Sequence, residues 1–138
     1  MKNAMKPKSF FFDFSLAGLA LLIAADAWAA GANWKIGRVY NRLVCNACHR
    51  VDDGKVVSPV DRTQAEWKAY FKADAHDKTG KTNGSAKYYA SQAYRGSIKD
   101  TNKAAAKFLP IPDDVMTGHV VEFYLHGAKD SDTPSRCQ

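Results

Sequence analysis

The chain has 138 residues, 46% of them hydrophobic and 25% charged, with three cysteines and a formal charge of +6. That length holds one domain, and no internal repeat or second domain is visible in it. Its basic residues are spread rather than clustered, which argues against nucleic acid and favours an acidic protein partner.

Lys2, Lys6 and Lys8 precede an apolar run over residues 10–25 that is broken by Asp13, and Ala27-Trp28-Ala29 puts small residues at both cleavage-determining positions. This is the pattern of a secretory signal peptide over residues 1–29. Its uninterrupted apolar part is shorter than the roughly 20 residues a bilayer span needs. The expected product is an exported, periplasmic domain of residues 30–138, with no stable membrane insertion after cleavage. Three lysines and two aspartates leave with the leader, so the domain would carry 17 basic and 12 acidic side chains.

Residues 33–44 read as a helix with Trp34, Gly37, Val39, Tyr40, Leu43 and Val44 on an apolar stripe. A glycine costs a helix about 1 kcal/mol against alanine, so Gly37 predicts the close approach of another helix. The stripe runs into Cys45-Asn46-Ala47-Cys48-His49. Two cysteines three apart, followed at once by histidine, form the attachment signature of c-type haem, in which both thiols add to the vinyl groups and the histidine ligates iron. Within one helical turn the thiols straddle one edge of a flat macrocycle, and the next side chain is carried under the ring. A redox C-x-x-C pair needs no adjacent histidine, and a zinc site needs further Cys or His ligands at a matching spacing that this chain lacks. Export agrees with this reading, because haem c is attached outside the cytoplasmic membrane of bacteria.

Residues 51–58 read as a loop, and Pro59 follows His49 by ten positions. Thr63 and Glu66 form a capping box for a helix whose Trp67, Tyr70 and Phe71 make an aromatic face. Residues 73–84 read as an exposed loop that carries His76. Residues 85–94 regain helical character and Arg95-Gly96-Ser97 close them, while residues 98–108 read as a loop with at most a helical turn. Pro112-Asp113-Asp114 starts a helix running to about His126, with Gly127 as its C-cap. Met116, Val120, Phe123 and Tyr124 share its apolar face, and His119, Glu122 and His126 share the face assigned to solvent. The polar tail over residues 129–138 reads as mobile, and its Cys137 is assigned no function.

A helix with glycine and an aromatic before C-x-x-C-H, a proline ten residues after it and a closing amphipathic helix with a central aromatic together resemble the class I cytochromes c. The resemblance implies a small all-α fold wrapped around one covalently bound haem c. It makes Cys45 and Cys48 the thioether links and His49 the proximal iron ligand, and it maps a crossing of the first and last helices onto Gly37, Tyr40 and Tyr124. It gives the Pro59 carbonyl a hydrogen bond from the His49 ring nitrogen that does not bind iron, which would orient the imidazole and raise its basicity. The implied activity is that of a one-electron carrier rather than an enzyme. Electrons would pass through an exposed haem edge to redox partner proteins with acidic docking surfaces.

The distal ligand is where the chain departs from that family. The stretch before the last helix, which usually supplies a methionine, reads Lys103-Ala104-Ala105-Ala106-Lys107-Phe108. Met116 is the sole methionine after the leader, and it lies inside the last helix, eight residues before Tyr124. His76 is the rival, in a loop long enough to fold over the haem, and a bis-histidine iron would have the lower potential because methionine raises it. An open iron, or one weakly capped by Asn102 or a lysine, is the third reading. That reading would suit diatomic gas binding or peroxide chemistry instead of electron transfer.

Overall fold

The computed structural model describes residues 31–52, 56–76 and 83–135. The predicted leader and Cys137 lie outside these residues. The described chain is all-α, without a strand. In order it forms α1 (Trp34–Tyr40), a π-helical turn (Asn41–Cys45), α2 (Asn46–Asp52), a 3-10 turn (Pro59–Asp61), α3 (Gln64–Ala73), a second 3-10 turn (Tyr88–Ala90), α4 (Gln92–Ile98), α5 (Lys103–Phe108) and α6 (Asp113–His126). Among the described residues no helix is long and apolar enough to cross a membrane.

The packing is built on α1 crossing α6. A Cβ on Gly37 would fall 1.9 Å from the carbonyl oxygen of His119 and 2.8 Å from the Cβ of Phe123, so the close approach read from this glycine is present. Tyr124, further along α6, joins the contact by donating its hydroxyl to Oδ1 of Asn41, in the π-helical turn after α1, at 2.6 Å. Tyr40 is fully buried and meets Phe108 edge-on, with ring centres 5.3 Å apart.

The assignment of His119 to a solvent face does not hold. His119 is only 5% exposed, and its Nδ1 accepts the Asn33 N–H at 2.9 Å. His126 is half-buried and stacks on Trp34, with ring centres 4.2 Å apart. The physical reason is that α6 has helices on more than one side: α1 covers the histidine side, while α3 brings Trp67 and Phe71 against Tyr124.

The Thr63 cap of α3 is as read from sequence. Glu66 N–H donates to Thr63 Oγ1 at 3.2 Å, and the Thr63 N–H donates to the Glu66 carboxylate at 2.6 Å, which holds that carboxyl below its usual range.

Three expectations on the second half are corrected. Residues 98–108 are not a loop, because Asn102 starts α5 by accepting from the N–H groups of Ala104 and Ala105 at 3.0 and 3.1 Å. Arg95, Gly96 and Ser97 lie inside α4, which starts at a Ser91 cap rather than continuing from residue 85. Arg95 is wholly buried, and its guanidinium donates to the carbonyls of Ser91, Phe108 and Ile111 and to the Asp113 carboxylate. The tail up to Ser135 is also tied down. Lys129 N–H donates to the Arg62 carbonyl at 3.1 Å, Asp130 accepts from the Gln64 N–H at 2.7 Å, and Ser135 N–H reaches the Gly127 carbonyl at 3.1 Å.

Gly37→Ala should gain about 1 kcal/mol of helix propensity and still destabilise the protein, because the overpacked crossing costs roughly 3 kcal/mol or more. The midpoint of urea unfolding reads the sign directly. His119 supplies a pH dependence. Burial holds its imidazole below the ordinary value of 6.5, and only the neutral ring can accept from Asn33. Its folded pKa is depressed, so its contribution is full above the ordinary histidine value and is lost as the pH falls through the folded one. His119→Asn, which keeps an acceptor without titrating, should flatten the acid-side decline in the urea midpoint.

Candidate functional site

The C-x-x-C-H segment begins in the π-helical turn. The amide of Asn46 reaches back to the carbonyl of Asn41, which widens the backbone by one residue just before the first thiol. Such single-turn widenings are rare in helices and often mark functional sites. Cys45 packs against the core edge, where burial pushes its thiol up to about 12. Cys48 is exposed, with its Sγ 3.7 Å from the Tyr94 hydroxyl, and neither cysteine is in a disulfide. Burial thus favours the protonated thiol at Cys45.

Two buried asparagines fasten the next segment to the motif. Val57 donates its N–H to Asn46 Oδ1 at 3.1 Å, and its carbonyl accepts from Asn41 Nδ2 at 3.4 Å. Pro59 follows, buried, with its carbonyl accepting the Trp67 indole N–H at 2.7 Å. The Arg62 N–H also donates to it, at 3.5 Å, so both lone pairs of this carbonyl already have a donor.

His76 is the residue that the fold brings to His49. Their ring centres lie 5.9 Å apart with the planes at 54°. Two imidazoles on opposite sides of one metal, each bonded at about 2 Å, hold their ring centres roughly 6 Å apart once the distance from nitrogen to ring centre is added. The spacing of the pair is compatible with both rings holding one metal ion between them. Tyr89 lies against His76 with ring centres 4.6 Å apart, Tyr94 lies 4.9 Å from Tyr89, and Tyr94 returns to Cys48. Cys48, His49, His76, Tyr89 and Tyr94 thus close a perimeter that is mostly aromatic.

The remaining ligand candidates have other employment. Met116 is fully buried in the core cluster with Tyr40, Phe71 and Phe123. Asn102 caps α5 with its oxygen and donates its amide to the Leu43 carbonyl at 2.9 Å. Among the described residues no three or more His, Cys, Asp or Glu side chains gather to hold a metal ion. A porphyrin brings four nitrogens of its own and asks the protein only for axial ligands, so a histidine pair beside two free thiols suits haem better than a bare metal. Cys45, Val57, Tyr70, Tyr94 and Phe108 pack on the core while only partly covered, as apolar surface that a flat hydrophobic group can complete.

Comparison with known proteins finds no matching family model, no matching curated protein and no matching solved structure.

The residues missed by sequence reasoning are Asn41, Asn46, Tyr89 and Tyr94. The asparagines carry no role in the sequence reading, and the tyrosines lie in a stretch read only as helical over residues 85–94. Asn46→Ala should leave the Val57 N–H without its acceptor and lower stability by about 1–3 kcal/mol, as read by thermal unfolding.

Proposed function

We propose that the chain is an exported one-electron carrier built on a single haem c, attached through Cys45 and Cys48 and ligated by His49 and His76. What supports the reading is the 5.9 Å separation of the two imidazoles beside a C-x-x-C-H segment. Bound there, the haem supplies a one-electron couple at its iron.

The chain's own residues do the rest. Cys45 and Cys48 hold one edge of the macrocycle from a single helical turn. His49 follows in α2 and His76 approaches from beyond the end of α3, so both would hold the iron through a ring nitrogen. Two imidazoles and no thioether ligand mean a potential below that of a His/Met iron. Tyr89 packs on His76 and Tyr94 lies beside Cys48, so both would flank the bound group. The gas-binding or peroxide reading was motivated by a missing distal ligand, and ligation by His76 would remove that motive.

Partner recognition falls on the outer face of the motif helix. Val39 and Leu43 are 37% and 41% exposed there. Lys35, Arg38 and Arg42 surround them on the same helix, and Lys103 and Lys107 face Leu43 across a shallow cleft of about 350 Å³. Residues 32–50 contain no acid. An acidic protein surface with an apolar centre complements this face, and association steered by it weakens with salt.

One set of variants tests the reading. Produced with a haem-attachment system, the wild-type chain should carry covalent haem and give a low-spin spectrum when oxidised. Cys45→Ala with Cys48→Ala should lose the covalent haem, and His76→Ala should turn the spectrum high-spin. Met116→Leu should leave the spectrum unchanged at a cost below about 1.5 kcal/mol, since it nearly conserves volume. A low-spin spectrum that survives His76→Ala would refute the bis-histidine assignment.

A further inference from the structure

We infer that Tyr89 is the positioning residue that seats His76 as the distal ligand, an inference that rests on the haem reading above. A histidine outside regular structure must give up rotamer and backbone freedom to reach a metal, and whatever fixes it beforehand removes that cost from ligation. The backbone around His76 is fixed first. α3 ends at Asp74, whose φ of 49° turns the chain away from the helix axis. The Asp74 carboxylate then accepts from Ser85 Oγ at 2.7 Å and from the Lys87 N–H at 2.8 Å. His76 N–H donates to the Gly84 carbonyl at 2.8 Å, closing the stem of the loop on both strands of chain.

A closed stem fixes the His76 backbone but not its ring. The ring is fixed by Tyr89, whose plane lies 38° from that of the imidazole with centres 4.6 Å apart. Tyr89 is itself held from two directions. On the loop side its hydroxyl accepts the Asn83 N–H at 2.7 Å. On the core side its carbonyl accepts the hydroxyl of Tyr40, which is completely buried, at 2.5 Å. Tyr88 and Tyr94 flank its ring, with centres 5.4 and 4.9 Å away. The imidazole thus leans on an aromatic ring anchored to the core, in the position where it faces His49.

The consequence is that the sixth coordination position is closed by Tyr89 acting through His76. Removing the ring should raise the fraction of molecules with a vacant position, and a ligand that needs the vacancy reports that fraction directly. Carbon monoxide binding to the reduced holoprotein is the test, with the spin state of the oxidised form as the second readout. Tyr89→Leu should keep covalent haem, gain a high-spin component and bind carbon monoxide at least about tenfold faster than the wild type. Tyr89→Met, flexible enough to refill the space, gives an independent ring deletion should the leucine variant fold poorly. Tyr89→Phe keeps the ring and should stay much closer to the wild type than either, and His76→Ala sets the fully open limit. Wild-type rates in both ring-deleted variants would overturn the role of Tyr89 while leaving the bis-histidine haem intact. A phenylalanine variant as open as the leucine one would overturn the role of the ring. A wild-type protein that is already high-spin and fast would overturn the distal histidine, and the inference with it.

Discussion

The contact between α1 and α6 at Gly37 is the constraint on which the other placements depend. With no Cβ in the way, the backbone of α1 reaches the carbonyl of His119, and three further contacts follow along the same seam. Asn33 donates to His119, Trp34 stacks on His126, and Tyr124 donates to Asn41. Each of these lies between the two helices, so together they set the rotation of α1 as well as its position. That rotation decides which way the chain faces as it leaves α1 through the π-helical turn. It directs Cys45 to the core edge and leaves Cys48 exposed beside Tyr94.

The opposite wall is set by a buried charge. An isolated guanidinium in a core would be costly, and breaking such a pair is more costly still, so Arg95 must be fully met by acceptors to be tolerated there. It is met by three carbonyls and Asp113, drawn from α4, from the end of α5 and from the start of α6. These bonds fix the approach of α4 to the α5–α6 corner. They leave Tyr94, on α4, and Tyr89, just before it, against the motif. The four acceptors of Arg95 lie outside the candidate site, yet they determine where the site's aromatic edge stands.

Local rules were legible where the chemistry is local. The reciprocal hydrogen bonds of Thr63 and Glu66 need only a four-residue spacing, and Pro112 and the acids after it need only the first turn of a helix. Gly37 was legible for a different reason, since its propensity cost called for a compensating contact. What could not be read depends on partners far along the chain. His119 looked like a surface residue because its own helix gives no sign that the N-terminus of α1 will cover it. Asn102 and the alanines after it looked like loop because the cap and the burial of Ala105 come from the packing around them. The nearness of His76 to His49 could be raised from sequence only as one of several options. It depends on the closure of the 74–85 stem and on Tyr89, neither of which has a local signature.

The proposed site turns on which two atoms would bind the iron, and the near-infrared magnetic circular dichroism of the oxidised, haem-loaded protein asks that without any mutation. The charge-transfer band there moves with the axial pair. A band at the energy of a bis-imidazole iron is the predicted result. A band at the energy of a sulfur–iron bond would contradict the account by making Met116, in the middle of α6, the ligand in place of His76.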